Sequence, residues 1–137
     1  QVACYVPALD IIRTPTINDY VNAEEYYSTM FHEMTHSTGH HSRLNRKMNT
    51  NKKTYSYAKE ELVAEIGSCF MCNHVGFMTK TIDNSASYIA GWIKRLKKDP
   101  EMIVKAASEA QKVMDYLNFI ETEEDGKAHA EVVTVSS

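Results

Sequence analysis

Residues 22–39 read NAEEYYSTMFHEMTHSTG, and this stretch carries the pattern H-E-x-x-H at residues 32–36. Asn22 is a good helix N-cap, Glu25 stands where a capping box requires an acid, and Gly39 is a natural helix stop. On such a helix the two histidines project from the same face, one turn apart. Two neutral imidazoles there can bind one Zn²⁺, with the intervening glutamate in reach of the metal-bound water. The stretch therefore predicts the active-site helix of a zinc hydrolase.

The two histidines lie nearly opposite the apolar stripe of this helix, which consists of Tyr27, Met30, Phe31 and Met34. A core histidine would lie within that stripe. The non-functional interpretation of His32 and His36 is therefore a pair of solvated surface residues. In the functional interpretation both bind zinc, which lowers the pKa of its water toward ~7 and polarises the scissile carbonyl. Glu33 is then the general base, which takes the proton of the water and delivers it to the leaving amine.

The third ligand separates two classes of site, because a catalytic zinc needs three protein ligands and an open position. In the pattern H-E-x-x-H-x-x-G-x-x-H the third histidine would fall at Ser42. His40 and His41 come too early for this spacing and are kept as alternative ligands.

A second helix, predicted from about Tyr57 to His74, offers three acids. Glu61 and Glu65 are four residues apart and share a face, whereas Glu60 points about 100° away and is expected to be solvated. The E-x-x-x-E arrangement resembles the gluzincin pattern. By that resemblance Glu61 is the expected third ligand, and Glu65 is expected to accept a hydrogen bond from a ligand histidine.

The bulk properties favour one globular domain. The chain has 137 residues, 43% hydrophobic and 24% charged, and a net charge of -3, which does not point to nucleic acid or membrane. No apolar run is long enough to span a bilayer, and no signal peptide is visible. Three cysteines without a disulfide framework favour a reducing compartment, so we expect a cytoplasmic protein. Since the chain begins with Gln1 rather than Met, we expect a fragment or a processed product.

The remaining patterns predict an α+β fold that is mostly helical, with a small N-terminal sheet and four main helices. Residues 3–13 read as extended structure, and further helices are predicted at about 85–98 and from Asp99 onward. We assign residues 1–120 to one domain and 121–137 to an acidic or polar tail. That tail is expected to be mobile, although residues 132–135 could add a strand.

Residues 40–55 form a polar connection that we expect to be a solvated loop, the alternative being an anion-facing surface. Its basic residues are Arg43, Arg46, Lys47, Lys52 and Lys53. Cys69 and Cys72 have C-x-x-C spacing within a helical pattern, and ordinary packing is the favoured interpretation.

Three stretches carry a resemblance to a known family, and the first of them contains H-E-x-x-H: YYSTMFHEMTHSTGHHSRLNR at 26–46, YAKEELVAEIGSCFMC at 57–72 and SYIAGWIKRLKKD at 87–99. The chain resembles the C-terminal zincin-like metallopeptidase domain of ArdC-type antirestriction and polyvalent proteins of mobile genetic elements. The resemblance implies a zincin fold, one Zn²⁺ per chain and a peptide or protein substrate. Full-length members carry an N-terminal domain that binds single-stranded DNA. DNA contact is therefore expected only through such a domain or the basic 43–53 loop, and no membrane contact is expected.

Two aspects of the chemistry stay open at the level of sequence. A hydrolase needs a donor for the oxyanion, and the candidates are Tyr55, Tyr57, Tyr88 and His74. Mn²⁺ or Co²⁺ could occupy the same nitrogen and oxygen ligands as Zn²⁺.

The extended segment at 5–12 could pair with substrate backbone. The alternative function is a non-catalytic antirestriction module with a structural zinc, which would bind a host protein or a DNA-associated partner.

Overall fold

The computed structural model describes residues 2–95, 99–122 and 131–135, and the side chains of all of these except 78–81, 95, 118–122 and 131–135. In chain order the elements are β1 (Cys4–Val6), β2 (Ile11–Pro15), a short 3₁₀ turn (Ile17–Asp19), α1 (Ala23–Thr38), α2 (Tyr55–Val75), α3 (Met78–Arg95), α4 (Met102–Thr122) and β3 (Glu131–Val135). The predicted class, a small sheet combined with four main helices, is confirmed.

The sheet has the order β1-β2-β3, so that β1 is an edge strand. β1 pairs with β2 in antiparallel fashion, with Tyr5 opposite Ile12. β3 lies parallel to β2, with Ile11 opposite Glu131. The C-terminal strand that the sequence offered as an alternative is therefore present. Residues 123–130 of the expected tail lie outside the described residues, and the division at residue 120 stays a prediction.

Helix α1 begins as its sequence predicts. The Asn22 side chain accepts a hydrogen bond from the Glu25 backbone N–H at 2.8 Å, which satisfies one of the free donors of the first turn. The helix ends at Thr38, but Gly39 has right-handed angles of φ -75° and ψ -8°. A Cβ at Gly39 would lie 3.1 Å from Arg46 Nη2 and 3.1 Å from Met48 Sδ. Close approach, rather than a left-handed turn, is therefore the reason for this glycine.

Helix α2 runs through the centre of the molecule. Thr54 caps its start by accepting from the Tyr57 N–H at 3.2 Å, and Gly76 ends it with a left-handed φ of 85°. One side packs on α4 through an apolar cluster that includes Leu62, Val63, Met102, Ala106 and Ala110. The other side faces α1 and contains buried carboxylates as well as Gly67. Helix α2 is therefore buried on both sides, with apolar side chains toward α4 and carboxylates toward α1.

Helices α3 and α4 begin at other residues than the sequence predicts. α3 starts at Met78 rather than near residue 85, and α4 starts at Met102 rather than directly after Asp99. Ile89 and Trp92 of α3 pack against the core, whereas Tyr88 is 51% exposed. None of the helices among the described residues has the length and apolar character required to cross a membrane.

The three cysteines are free. Cys4 is exposed, Cys69 is half-buried and Cys72 is buried. Cys69 and Cys72 therefore lie as packing residues of α2, as the sequence favoured.

Candidate metal centre

Two histidines of α1 and one glutamate of α2 converge at the interface of these helices. The Nε2 atoms of His32 and His36 lie 3.2 Å apart. Glu61 reaches both, with Oε2 at 3.4 Å from His32 Nε2 and Oε1 at 3.4 Å from His36 Nε2. One possible ligand atom from each of the three residues lies within 4.8 Å of the other two.

The other ring nitrogens fix the protonation of the two imidazoles. His32 Nδ1 lies 3.0 Å from Glu65 Oε2, and His36 Nδ1 lies 3.2 Å from Glu60 Oε1. A carboxylate only accepts hydrogen bonds, so each Nδ1 carries a proton and donates it. In the neutral rings the two Nε2 atoms then turn lone pairs toward each other and toward Glu61. Such a set of acceptors repels itself unless a cation lies among them, and two imidazoles with a carboxylate suit a divalent transition metal.

The shifted pKa values of the two histidines and Glu61 show that the cluster favours positive charge. Burial lowers the pKa of His32, but its hydrogen bonds with Glu61 and Glu65 outweigh burial and raise the pKa to about 10. Burial acts likewise on His36, and its bonds with Glu60 and Glu61 raise its pKa. Burial raises the pKa of Glu61, but the two histidines hold it well below the usual range. Protons and a metal ion therefore compete for the same atoms.

Glu60 is buried, and the expectation that it is solvated was wrong. Its Oε1 accepts from Arg46 Nη2 at 2.8 Å, and its Oε2 accepts from Arg46 Nε at 3.0 Å. Burial raises the pKa of Glu60, but hydrogen bonds from His36 and Arg46 outweigh it and lower the pKa. The prediction from helical spacing failed because α2 is enclosed on the side of Glu60 as well. There the Arg46 guanidinium supplies the compensating charge.

The two arginines of the polar connection are internal, so the expectation of a solvated loop was wrong for both. The Arg43 side chain is 2% exposed, pairs with Asp10 and donates from Nε to the Ser37 carbonyl at 2.7 Å. Lys47, Lys52 and Lys53 are exposed as expected.

Glu33 lies beside the cluster and is tied to the edge strand. The backbone N–H of Tyr5 donates to Glu33 Oε2 at 2.7 Å, and the Glu33 side chain is buried. The Tyr5 hydroxyl in turn donates to Asp10 at 2.8 Å, which joins the strand to the β1–β2 turn. One carboxylate oxygen of Glu33 is thus held by the backbone, while the other is not engaged by that bond.

A cavity of about 410 Å³ opens over the cluster. Its lining includes residues 2–5, which lead into the edge strand β1, residues 48–50 and both Tyr57 and Tyr88. Burial and then Glu61 raise the pKa of Tyr57 to about 12, and burial raises that of Tyr88. Both hydroxyls are therefore protonated near neutral pH and can donate hydrogen bonds into the cavity.

The other two candidate donors lie elsewhere. The Tyr55 hydroxyl donates to Asp99, and Tyr55 lines a different cavity, between the polar connection, α2 and α4. His74 is exposed near the end of α2, outside the lining of the cavity over the cluster.

The alternative third ligands also lie apart from the cluster. His40 Nδ1 lies 2.7 Å from Ser42 Oγ and accepts from the Ser42 N–H at 3.2 Å. The rings of His40 and His41 are 4.1 Å apart, just beyond the end of α1. The cluster that the structure forms is completed by Glu61 instead.

Sequence reasoning missed three parts of this site: Glu60, Arg46 and the Tyr5 N–H. A signal for Glu60 was available. Two histidine ligands need two acceptors for their Nδ1 protons in addition to a ligand carboxylate, and the second helix contains three acids at 60, 61 and 65. No local pattern indicates Arg46 or the Tyr5 N–H, because their partners are distant in sequence.

Several known proteins are similar to this chain in sequence. A family described as zincin-like metallopeptidase matches residues 1–109. Two proteins named DNA primase TraC from Escherichia coli are 39% and 37% identical over 115 residues, which are 84% of this chain but 11% and 8% of those proteins. Uncharacterized protein y4eC from Sinorhizobium fredii is 31% identical over 116 residues, 85% of this chain and 38% of that protein.

Two crystal structures of the antirestriction protein ArdC from plasmid R388 are similar to this fold. The Mn(II)-bound structure has a TM-score of 0.73 at 43% identity and matches 90% of this chain and 46% of that chain. The metal-free structure has a TM-score of 0.65 at 45% identity and matches 85% of this chain and 42% of that chain. This chain therefore spans less than half the length of each of these relatives.

Proposed function

The chain belongs to the zincin-like metallopeptidase family, and from this premise we propose that it is a metal-dependent peptidase domain of an ArdC-type antirestriction protein. The convergence of His32, His36 and Glu61 beside Glu33, under an open cavity, is the observation that carries the proposal. The substrate class is a peptide or protein backbone.

His32, His36 and Glu61 would hold the metal. Bound there, a divalent ion would polarise the scissile carbonyl and lower the pKa of water. Zn²⁺ suits this ligand set, and Mn²⁺ is the ion of the similar ArdC structure. Glu65 and Glu60 hold the Nδ1 protons of the two histidines, which fixes their rings so that both Nε2 atoms face the centre.

Glu33 is the general base in this proposal. The Tyr5 N–H holds Oε2, so Oε1 is the oxygen that takes the proton of the attacking water and passes it to the leaving amine. The tie to Tyr5 also keeps the carboxylate in one orientation, which supports its role because a general base must lie within hydrogen-bond reach of its proton.

Tyr57 and Tyr88 are the candidate donors to the oxyanion. Tyr57 lies one turn before Glu61 on α2, and Tyr88 reaches the cavity from α3, where its ring centroid lies 6.2 Å from that of His32. We assign the role to Tyr57 first, because burial and the nearby Glu61 carboxylate raise the pKa of its hydroxyl to about 12, which keeps it a donor. The edge of β1 that faces away from β2 borders the same cavity and would carry the substrate backbone.

The first experiment measures metal content of the purified protein beside Glu61→Ala and the double variant His40→Ala/His41→Ala. One metal per chain, lost in Glu61→Ala and retained in the double variant, is the expected result. Loss only in the double variant would move the third ligand to residues 40–41. Absence of metal in the wild type, even after Zn²⁺ and Mn²⁺ are supplied, would overturn the proposed centre.

The second experiment tests catalysis with Glu33→Gln, which keeps the shape of the side chain. We expect unchanged metal content and a loss of peptidase activity on unfolded protein substrates of about 10²–10⁴-fold. Full activity in Glu33→Gln would exclude the mechanism. An unchanged antirestriction phenotype of the full-length protein carrying Glu33→Gln would instead favour a non-catalytic interaction module.

A further inference from the structure

A buried ion pair lies directly behind one of the two histidines of the metal centre. Glu60 Oε1, which accepts the His36 Nδ1 proton at 3.2 Å, also accepts from Arg46 Nη2 at 2.8 Å. Arg46 Nε binds the second oxygen, Oε2, at 3.0 Å, and each of the two paired side chains is 9% exposed. A two-bonded fork of this kind fixes the plane of the carboxylate. It thereby fixes the direction from which Glu60 meets His36.

The guanidinium is itself fixed by the last turn of α1. Arg46 Nη2 donates to the Thr35 carbonyl at 2.7 Å, and Nη1 donates to Thr38 Oγ1 at 2.9 Å. The end of a helix presents unpaired carbonyls and favours a cation. Arg46 therefore joins the turn of α1 that contains His36 to the carboxylate on α2 that orients the ring of His36.

The other histidine has a different environment. His32 Nδ1 meets Glu65 at 3.0 Å, and among the side chains that the structure describes no Lys or Arg forms an ion pair with Glu65. The charge of Glu65 therefore acts on His32 without compensation from a cation. The charge of Glu60, by contrast, is shared between His36 and Arg46.

We propose that Arg46 is a positioning residue of the metal centre, which orients His36 through Glu60 and reduces the negative charge that His36 experiences. The two histidines are then unequal donors, with His32 the more electron-rich. This inference rests on the metal site of the proposed function. Arg46 bonds to Glu60, Thr35 and Thr38 and is expected to act on the centre only through Glu60.

The test is a double-mutant cycle on metal affinity, measured by titration of the metal-free protein with Mn²⁺ and with Co²⁺, whose visible absorption reports its ligand geometry. Loss of a group that hydrogen-bonds a metal ligand weakens affinity by about 10–100-fold. We expect a loss in this range for Glu60→Gln and for Arg46→Gln. Arg46→Gln/Glu60→Gln should bind no more weakly than Glu60→Gln alone, because Arg46 acts through Glu60.

Arg43→Gln is the matched control. Arg43 is also buried, leaves the same connection and bonds to the Ser37 carbonyl near the end of α1, but its acidic partner is Asp10. We expect it to lower stability and to leave metal affinity unchanged. Equal weakening by Arg43→Gln would mean that both arginines merely hold the loop, and the inference would be overturned.

Two outcomes of the cycle decide the matter even if Arg46→Gln fails to fold because Glu60 is left buried and unpaired. Arg46→Gln/Glu60→Gln removes both charges, and its affinity relative to Glu60→Gln remains measurable. Equal affinities support the inference, whereas a further loss in the double variant overturns it. Arg46→Lys keeps the charge without the fork and should give an intermediate affinity. Absence of metal binding by the wild type would be a failure of the proposed function, not of this step.

Discussion

The two sides of helix α2 are both buried but differ in chemistry. Toward α4 the helix packs apolar side chains such as Leu62 and Val63, for which removal from water is itself stabilising. Toward α1 it buries the carboxylates of Glu60, Glu61 and Glu65, which cost free energy unless they are paired. Each of the three has a histidine or arginine partner. The α4 side of this helix therefore stabilises the fold, and its α1 side contributes the carboxylates of the candidate metal centre.

The largest expected effect separates stability from metal binding. Leu62 is fully buried on the α4 side, and Leu62→Ala should lower the free energy of unfolding by about 2–5 kcal/mol. Urea unfolding of the metal-free protein measures this loss, and metal titration of the folded variant should give the wild-type affinity. Leu62→Met, which conserves volume, should cost less than about 1.5 kcal/mol. A fall in metal affinity in Leu62→Ala would show that the two sides are coupled.

The next largest effect is expected from a substitution that pushes α1 and α2 apart. A Cβ at Gly67 would lie 2.7 Å from Thr35 Oγ1 and 2.9 Å from Thr35 Cγ2. Gly67→Ala should therefore cost about 1–3 kcal/mol of stability by overpacking. It should also weaken metal binding, because Thr35 lies beside His36 on α1.

The control for this prediction is the second-site change Thr35→Ala, which removes both clashing atoms and leaves the Cβ at 3.3 Å. Adding it to Gly67→Ala should recover metal affinity. If Gly67→Ala alone bound metal like the wild type, close approach of α1 and α2 would not be needed by the centre.

Metal binding on the α1 side of α2 should also depend on pH. The raised pKa of His32, about 10, means that the metal-free protein holds a proton there at neutral pH, which a bound metal must displace. Affinity should therefore rise with pH, by at most about tenfold per pH unit for each proton displaced, and level off above the raised pKa. Calorimetric titration in buffers with different heats of ionisation counts the protons released. Metal binding without proton release between pH 6.5 and 9 would contradict the assignment.

The smallest effect is expected far from both sides of α2, at the start of α1. Asn22→Ala removes the side-chain acceptor of the Glu25 N–H and should cost about 1 kcal/mol of stability. Thermal unfolding measures the change. Asn22→Ser retains a capping oxygen and should be close to neutral, and neither variant should alter metal affinity.

The features that the sequence predicted correctly depend on residues that are close together in the chain. The N-cap at Asn22 is local, since it is decided within one turn of helix. The pairing of Glu61 and Glu65 on one face follows from helical spacing alone. Local periodicity therefore placed all three converging side chains on the correct two helices.

What the sequence did not predict depends on long-range contacts. Arg43 meets Asp10 in the β1–β2 turn and Arg46 meets Glu60 on α2, and these partners are 33 and 14 residues away in sequence. An arginine in a polar segment has the same local pattern whether it is solvated or buried. The burial of Glu60 was missed for the same reason, because a helical wheel gives directions around one helix and not what covers each side.

The hydrogen bond from the Tyr5 N–H to Glu33 makes the register of a short hairpin matter for chemistry. Successive residues of a strand point their N–H groups to opposite sides, so a shift of one residue would turn the Tyr5 N–H away from Glu33 and its ring out of the core. The turn between β1 and β2 includes Asp10 at a φ of 53°. Surface turns usually tolerate an inserted residue. In this turn an insertion that shifts the register would leave His32, His36 and Glu61 in place and disorient Glu33, the proposed base.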